Sequence, residues 1–326
     1  MIIVTGGTGF IGSAVVWALN ERGEKDILIV DWLDHAEKEH NVASLTYEQL
    51  IGGDEFRKNL AEGEYDNKNV TAIIHLGAIS STTESSWAKL QDNNINFSQE
   101  VIRWCADKGV RCVYASSGAV YGAGEQGYSD DPKLFDSLKP LNLYGKSKLE
   151  VDIWARDAGY LDQVVGLRYF NVFGPNEYHK EHMRSVVVKK FEEVQEKGYI
   201  GLFKSNDPQY KDGEQMRDFL YVTDAVAATL YFMDTKDRNG VFNVGTGKAR
   251  TWNDVAHAMF AALGREATIK YIDLPNELKN QYQNFTEADT TRLKAAGFTG
   301  EMTSLEAAVT DYIQNYLTPH KHLGEA

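Results

Sequence analysis

Residues 4–12 read VTGGTGFIG and lie between a short β-branched run at residues 2–5 and a longer amphipathic stretch. Gly6, Gly9 and Gly12 give this segment a G-x-x-G-x-x-G spacing. Glycine is needed at such positions because a Cβ atom would keep a pyrophosphate away from the backbone N–H groups. The N-terminus of the following helix contributes about half a positive charge. Between a strand and a helix, the segment predicts a phosphate cradle for a dinucleotide.

Around this cradle, apolar runs alternate between strand-like and helix-like patterns through the first half of the chain. The predicted strands are 2–5, 27–31, 72–76, 111–116 and 164–169, and the predicted helices are 13–22, 97–108 and 144–158. Repeated strand–helix–strand units predict a parallel sheet covered on both faces. The fold class is therefore α/β, a Rossmann-type doubly wound parallel sheet with a smaller C-terminal α/β substrate-binding domain.

The pattern changes after residue 171, where loops lengthen and polar stretches interrupt the apolar runs. We expect residues 219–224 and 241–245 to return to the main sheet, so that the two domains interleave. The predicted division is a dinucleotide-binding domain at 1–171 with returns near 217–250, a substrate-binding domain at 172–319 and a frayed tail at 320–326.

Composition excludes several classes of function. The chain has 326 residues and a formal net charge of −13. Nucleic acid or an anionic membrane would need a basic face, so neither is expected as a partner. Two cysteines without a C-x-x-C spacing predict neither a disulfide framework nor a metal site. The first residues lack the pattern of a signal peptide and no run of about 18 apolar residues occurs, so we expect a cytoplasmic enzyme.

Asp31 ends the second predicted strand, 19 residues after Gly12. An acid at this position accepts hydrogen bonds from the adenosine ribose, which favours NAD because a carboxylate repels a 2′-phosphate. Lys38 leaves NADP open, because its ammonium group could pair with that phosphate. On these residues alone, a solvated surface lysine is an equally good interpretation of Lys38.

Tyr144 and Lys148 form a Y-x-x-x-K spacing at the start of a predicted helix. Residues four apart share a helix face, so the two side chains can converge. A free tyrosine has a pKa of about 10, and a fixed cation nearby can lower that pKa by roughly 1–3. Tyr144 could then take a proton from an alcohol, while Lys148 holds the nicotinamide ribose. Ser116 or Ser117, at the end of the predicted strand 111–116, could bind the reacting oxygen, although either could equally be a turn residue.

Three later stretches extend these motifs: RYFNVFGP at 168–175, RDFLYVTD at 217–224 and FNVGTG at 242–247. Together the motifs resemble the extended short-chain dehydrogenase/reductase family over nearly the whole chain. Members of that family include nucleotide-sugar epimerases and dehydratases. The resemblance implies a nicotinamide-dependent enzyme acting on a nucleotide-linked sugar, with Arg217 meeting the nucleotide pyrophosphate.

Finer stretches resemble one group of nucleotide-sugar epimerases within this family. They are GAISSTTE at 77–84, DNN at 92–94, HKEHMRS at 179–185 and YQNFTEAD at 282–289. The resemblance implies a redox-neutral isomerase with Lys180 as a second acid/base opposite Tyr144. It also implies NADP as cofactor, with Lys38 at the 2′-phosphate and NAD as the alternative, and a homo-oligomer, specifically a pentamer.

The resemblance also implies two sets of binding residues. The cofactor set is Gly6, Gly9, Phe10, Ile11, Gly12, Asp31, Trp32, Lys38, Leu76, Gly77, Ala78, Ile79, Ser80, Asn93, Lys148, Val172 and Lys180. The substrate set is Asn171, His182, Lys189, Phe203, Lys204, Ser205, Asn206, Arg217 and Tyr282. Four positions depart from the family pattern: Trp32 replaces a small polar residue, Gly53 a basic one, and His182 and Lys189 stand where Ser and His are typical.

Two other functions remain open. One is a different enzyme on the same scaffold, either a UDP-hexose 4-epimerase or a 4,6-dehydratase. A dehydratase should carry an acidic pair after Ser117, but residues 118–120 read GAV. The other is a non-enzymatic NADP-binding scaffold, which is disfavoured because Tyr144 and Lys148 are both present.

Overall fold

The computed structural model describes residues 1–32, 35–275 and 283–325. Its strands are β1 (Ile2–Thr5), β2 (Ile27–Val30), β3 (Gln49–Ile51), β4 (Ala72–His75), β5 (Arg111–Ser117), β6 (Val165–Tyr169), β7 (Asn171–Phe173), β8 (Ile200–Phe203), β9 (Met216–Tyr221), β10 (Gly240–Val244), β11 (Ala249–Thr251) and β12 (Ile269–Ile272). Its α-helices are α1 (Phe10–Glu21), α2 (Ala36–His40), α3 (Gly53–Ala61), α4 (Trp87–Leu90), α5 (Phe97–Lys108), α6 (Leu143–Asp157), α7 (Val186–Lys197), α8 (Val222–Asp234), α9 (Trp252–Ala262), α10 (Thr291–Ala295) and α11 (Leu305–Asp311).

The main sheet has seven parallel strands in the order β3-β2-β1-β4-β5-β6-β10. Its central strands are buried on both faces, as Ile3, Ile29 and Ile73 show, which explains their continuous apolar runs. The strand order reverses between β1 and β4, and a crevice opens there at the carboxyl ends of the strands. The predicted α/β class with a doubly wound parallel sheet is confirmed.

A second, smaller core packs α7, α9 and α11 against the three-stranded sheet β7-β9-β11 and the β8-β12 pair. The prediction that residues 219–224 return to the main sheet is wrong. β9 instead pairs with β7 and β11, and the following helix α8 packs on α1. A short apolar run fits either sheet equally well, so the sequence pattern could not separate them. Residues 241–245 do return, because β10 pairs with β6.

The C-terminal segment is docked, which corrects the prediction of a frayed tail at 320–326. His322 and Leu323 are both buried. Leu323 packs with Val42 and the apolar face of α1, and its N–H donates to Asn176 Oδ1 at 2.9 Å. Leu323 is a single apolar residue among polar neighbours, so the sequence pattern did not predict that the segment is buried.

Within the three described ranges, no helix combines the length and apolar character needed to cross a membrane. Cys105 and Cys112 are buried free thiols, as expected for small core residues.

Candidate active site

The three glycines of the cradle between β1 and α1 serve two different purposes. Gly6 has φ +67°, and a Cβ there would lie 2.7 Å from the backbone nitrogen of Gly77. A Cβ on Gly12 would lie 1.9 Å from the Gly6 carbonyl oxygen. A Cβ on Gly9 would meet that same oxygen at 3.1 Å and nothing else within 4 Å. Packing therefore requires Gly6 and Gly12, while Gly9 leaves room at the helix N-terminus for a pyrophosphate, so the cradle fits a dinucleotide.

The cradle opens into a cleft of about 1200 Å³ at the carboxyl edge of the main sheet. All residues predicted for the cofactor and for catalysis line this one cleft, together with Asn171 and His182 from the predicted substrate set. They are Gly6, Gly9, Phe10, Ile11, Gly12, Asp31, Trp32, Lys38, Leu76, Gly77, Ala78, Ile79, Ser80, Asn93, Ser116, Ser117, Tyr144, Lys148, Asn171, Val172, Lys180 and His182. Segments far apart in sequence therefore meet at one place.

At the end of the cleft where the adenosine is predicted to bind, Asp31 is already held by its neighbours. Its Oδ2 accepts hydrogen bonds from the Thr8 N–H at 3.0 Å and from the Thr8 hydroxyl at 2.6 Å. Lys38 Nζ lies 3.3 Å from Asp31 Oδ1 and donates to the Trp32 carbonyl at 3.0 Å. Lys38 thus places a positive charge beside the carboxylate, which offsets the repulsion that Asp31 alone would exert on a 2′-phosphate.

Two departures from the family pattern, Trp32 and Gly53, lie in contact near Asp31, and the first accounts for the second. A Cβ on Gly53 would lie 2.2 Å from Cζ2 of the Trp32 indole. Trp32 therefore occupies the space that a side chain at position 53 would need, and no second basic residue fits there. The indole also packs edge-on against Phe97, with ring centroids 6.3 Å apart.

At the end predicted to hold the nicotinamide, the start of α6 positions the predicted catalytic pair. Asn142 caps the helix by accepting the Gly145 N–H at 2.8 Å. The buried Lys148 donates from Nζ to the Ala115 carbonyl at 2.9 Å, and burial lowers the pKa of Lys148 to about 8, with Asp152 opposing the shift. Burial raises the pKa of Tyr144, and a hydrogen bond with Ser117 partly offsets this. Desolvation of the phenol is the larger of these two effects, and a lowering of the Tyr144 pKa by Lys148 stays a prediction.

The two candidate serines lie on opposite sides of β5. Ser116 Oγ donates to Asp152 Oδ2 at 2.8 Å, inside a buried network where Arg168 Nε also contacts that oxygen at 2.9 Å. Ser117 Oγ accepts the Ala119 N–H at 3.1 Å and bonds with Tyr144. Because side chains alternate along a strand, only one of two neighbours can face Tyr144. Ser117 therefore stays the candidate for the hydroxyl that binds the reacting oxygen, while the Ser116 hydroxyl is engaged by Asp152.

Lys180 comes from the opposite wall, a 3₁₀ segment at Tyr178–Met183. Its Nζ lies 5.1 Å from the centroid of the Phe10 ring on the cradle. Burial lowers the pKa of Lys180, and Glu177 opposes the shift. Glu177 is itself buried and accepts the Ser185 hydroxyl at 2.7 Å, which anchors the segment. A lysine in this environment can exchange a proton nearer neutrality than a solvated lysine.

Sequence reasoning assigned no role to His179, which also lines the cleft. Its Nδ1 lies 3.2 Å from Asn41 Nδ2, and burial lowers the pKa of His179 to about 4, with Lys38 and Lys180 adding to the shift. His35 lines the same end of the cleft. The only sequence signal for His179 was its place beside Lys180.

Several predicted substrate residues do not line the cleft in the part of the chain that the structure describes. They are Lys189, Phe203, Lys204, Ser205, Asn206 and Arg217, and Tyr282 lies outside the described residues. Lys189 Nζ donates to the His182 carbonyl at 2.6 Å, and Lys204 pairs with Asp273 at 2.9 Å. The Arg217 guanidinium lies 5.5 Å from the ring centroid of Trp252, which does line the cleft. Their substrate roles stay predictions.

A glycine cradle, an acid after β2 and a Tyr–Lys helix around one cleft define a nicotinamide-dependent enzyme of the doubly wound class. The chain belongs to the NAD dependent epimerase/dehydratase family, whose family model matches residues 2–245. The membership expected from the sequence motifs is confirmed.

Known relatives cover the chain nearly end to end. It is 47% identical over 317 residues to ADP-L-glycero-D-manno-heptose-6-epimerase of Nitratidesulfovibrio vulgaris strain DP4, covering 97% of this chain and 98% of the relative. The Helicobacter pylori enzyme of that name superposes with a TM-score of 0.81 at 26% identity, covering 96% of this chain and 95% of that one. UDP-N-acetylglucosamine 4-epimerase from Methanobrevibacter ruminantium M1 gives 0.79 at 26% identity, covering 98% of each chain.

Proposed function

We propose that this chain converts ADP-D-glycero-β-D-manno-heptose to ADP-L-glycero-β-D-manno-heptose by inverting C6″ through a transient 6″-keto sugar. The reaction would supply a heptose precursor for the inner core of lipopolysaccharide. The observation that carries the proposal is that Tyr144 and Lys180, from two different walls, line the same cleft as the dinucleotide cradle. The 47% identity to an enzyme of this name over nearly its whole length supports the choice of sugar.

Inversion at a carbinol carbon needs proton transfer in two orientations of the sugar. When bound, the nicotinamide supplies the hydride acceptor and donor. Tyr144 takes the proton of the C6″ hydroxyl, and Ser117 orients that oxygen. The planar keto sugar then presents its other face, and Lys180 donates a proton to the C6″ oxygen as the alcohol re-forms. Lys148 keeps a positive charge at the ribose end of the site, held by the Ala115 carbonyl.

The proposal is tested by proton NMR of ADP-D-glycero-β-D-manno-heptose incubated with the purified protein. We expect the L-glycero epimer to accumulate without added cofactor, because each turnover regenerates the nicotinamide. UDP-glucose, run in parallel, should give no UDP-galactose. Formation of UDP-galactose without the L-glycero epimer would establish a UDP-hexose 4-epimerase. A protein that binds cofactor but turns over neither sugar would be a scaffold.

We further propose NADP rather than NAD as the cofactor, on the position of Lys38 beside Asp31. Lys38→Ala should weaken NADPH binding about 10–100-fold, the effect of losing one charge-assisted hydrogen bond, and should change NADH binding much less. Fluorescence titration of the cofactor-depleted protein measures both affinities. Lys58→Ala, which removes an exposed lysine of α3, is the matched control. Equal losses for NADPH and NADH, or no loss, would contradict the assignment.

The expected homo-oligomer, a pentamer, and the cytoplasmic location stay predictions. Light scattering on the eluting protein tests the first, and cell fractionation tests the second.

A further inference from the structure

The C-terminal segment, residues 320–325, contacts two elements that carry cleft residues, namely helix α2 and the 3₁₀ segment Tyr178–Met183. In the helix, His322 Nε2 lies 3.6 Å from Glu37 Oε2, and Glu37 precedes Lys38 on α2. In the 3₁₀ segment, the Tyr178 hydroxyl donates to the Lys321 carbonyl at 3.2 Å. Tyr178 begins the 3₁₀ segment that carries Lys180. The segment therefore joins the helix that holds Lys38 to the turn that holds Lys180.

Two buried asparagines continue this connection into the cradle. Leu323 donates its N–H to Asn176 Oδ1, and Asn176 Nδ2 donates to the Ser13 hydroxyl at 2.9 Å. Asn41 Nδ2 donates to the Asn176 carbonyl at 3.1 Å and to the Thr8 carbonyl at 3.0 Å. Asn41 and Asn176 are both fully buried. A buried amide oxygen without a donor is costly, so undocking Leu323 would leave Asn176 Oδ1 unsatisfied.

The same asparagines lie against groups that line the cofactor cleft. Asn41 Nδ2 is 3.2 Å from Nδ1 of His179, the neighbour of Lys180. Thr8, whose carbonyl Asn41 binds, holds Asp31 through its N–H and hydroxyl. His35 Nε2 and Glu181 Oε1 lie 4.0 Å apart across the walls. Docking of the segment thus favours the arrangement of the cradle, α2 and the Lys180 segment around the cleft.

We infer that the C-terminal segment is a latch whose docking and dinucleotide binding strengthen one another. Leu323 and His322 are positioning residues that act through Asn176 and α2, without touching the cofactor. Linkage requires the effect to be reciprocal: if the docked latch tightens dinucleotide binding, the dinucleotide must tighten the latch by the same factor. Couplings between sites of this kind are typically about 5–150-fold. The inference goes beyond the proposed epimerase activity, since it concerns cofactor binding.

One test removes the latch anchor. Leu323→Ala, and truncation after residue 319, should each raise the Kd for NADPH at least about fivefold in fluorescence titrations of cofactor-depleted protein. Thr318→Ala, an exposed position just before the segment, is the matched control and should leave the Kd unchanged. NADH is titrated in parallel, so that a mistaken choice of NADP over NAD is separated from a failure of the latch. A folded variant with lower Tm but unchanged Kd for both dinucleotides would show a merely structural role and overturn the inference.

The reciprocal test uses the unaltered protein, so it does not depend on how the variants fold. Hydrogen–deuterium exchange of the peptide spanning 320–325 should slow at least about fivefold when NADPH or NADH saturates the cleft. A peptide from the distant β12 segment, Ile269–Ile272, serves as the internal reference and should not change. Unchanged exchange at 320–325 with saturating dinucleotide would overturn the coupling.

Discussion

Tyr144→Phe should reduce the rate of epimerisation at least a hundredfold while the protein stays folded and binds its cofactor. The substitution removes one oxygen and keeps the ring that fills the site. A general base is worth roughly 10²–10⁴ in rate. Tyr144 carries the phenol that forms a hydrogen bond with Ser117 at the end of the cleft predicted to hold the nicotinamide. Initial rates from proton NMR of the ADP-heptose measure the effect.

Tyr160→Phe is the matched control for this variant. Tyr160 packs against Trp154 with ring centroids 5.0 Å apart and does not line the cleft. It should turn over at the rate of the unaltered protein. A Tyr144→Phe enzyme with near-normal turnover would remove Tyr144 from the proton-transfer role.

Lys180→Met should have an effect of the same size for a different reason. Methionine keeps an unbranched side chain over the Phe10 ring but cannot carry a proton. If a second proton donor is required once the keto sugar has presented its other face, the loss of that donor lowers the rate roughly 10²–10⁴-fold. The measurement is again the initial rate of epimer formation, together with NADPH titration to show that the cleft still binds dinucleotide.

Lys190→Met is the control for Lys180. Lys190 pairs with Glu193 at 2.8 Å on α7 and lies outside the cleft lining. It should leave the rate unchanged. A Lys180→Met rate within a few-fold of normal, with unchanged dinucleotide affinity, would mean that one base serves both orientations of the sugar.

The cradle and the Tyr–Lys helix could be predicted because each depends on residues that are neighbours in sequence. The spacing of Gly6, Gly9 and Gly12 is explained by the geometry of the strand–helix turn. The convergence of Tyr144 and Lys148 follows from helix geometry, since the two residues are four apart. Convergence of these segments also followed from the α/β class, since parallel strands present their carboxyl ends at one edge.

Other features depend on contacts with residues distant in sequence, which no local sequence pattern identifies. Ser116 and Ser117 look alike in sequence, but the buried Asp152–Arg168 pair takes the Ser116 hydroxyl and leaves Ser117 beside Tyr144. The pKa of Tyr144 depends on burial, which spacing does not reveal. The position of β9 outside the main sheet reflects its tertiary pairing with β7.

The docking of the latch, residues 320–325, could not be predicted from the sequence for the same reason. Residues 320–325 are mostly polar, so the composition predicted fraying, yet the buried Leu323 and His322 and the hydrogen bonds of the segment dock it. Likewise Trp32 and Gly53 were recognised separately as departures from the family pattern. Only their contact in space shows that one accounts for the other.

The central claim is an internal redox inversion, and substrate deuterated at C6″ tests it most directly. ADP-D-glycero-β-D-manno-heptose carrying deuterium at C6″ is incubated with the protein in ordinary water, and the product is analysed by NMR and mass spectrometry. The account predicts the L-glycero epimer with its C6″ deuterium retained, because the same hydride leaves and returns. Loss of the deuterium to solvent during epimerisation, or no epimer at all, would contradict the account.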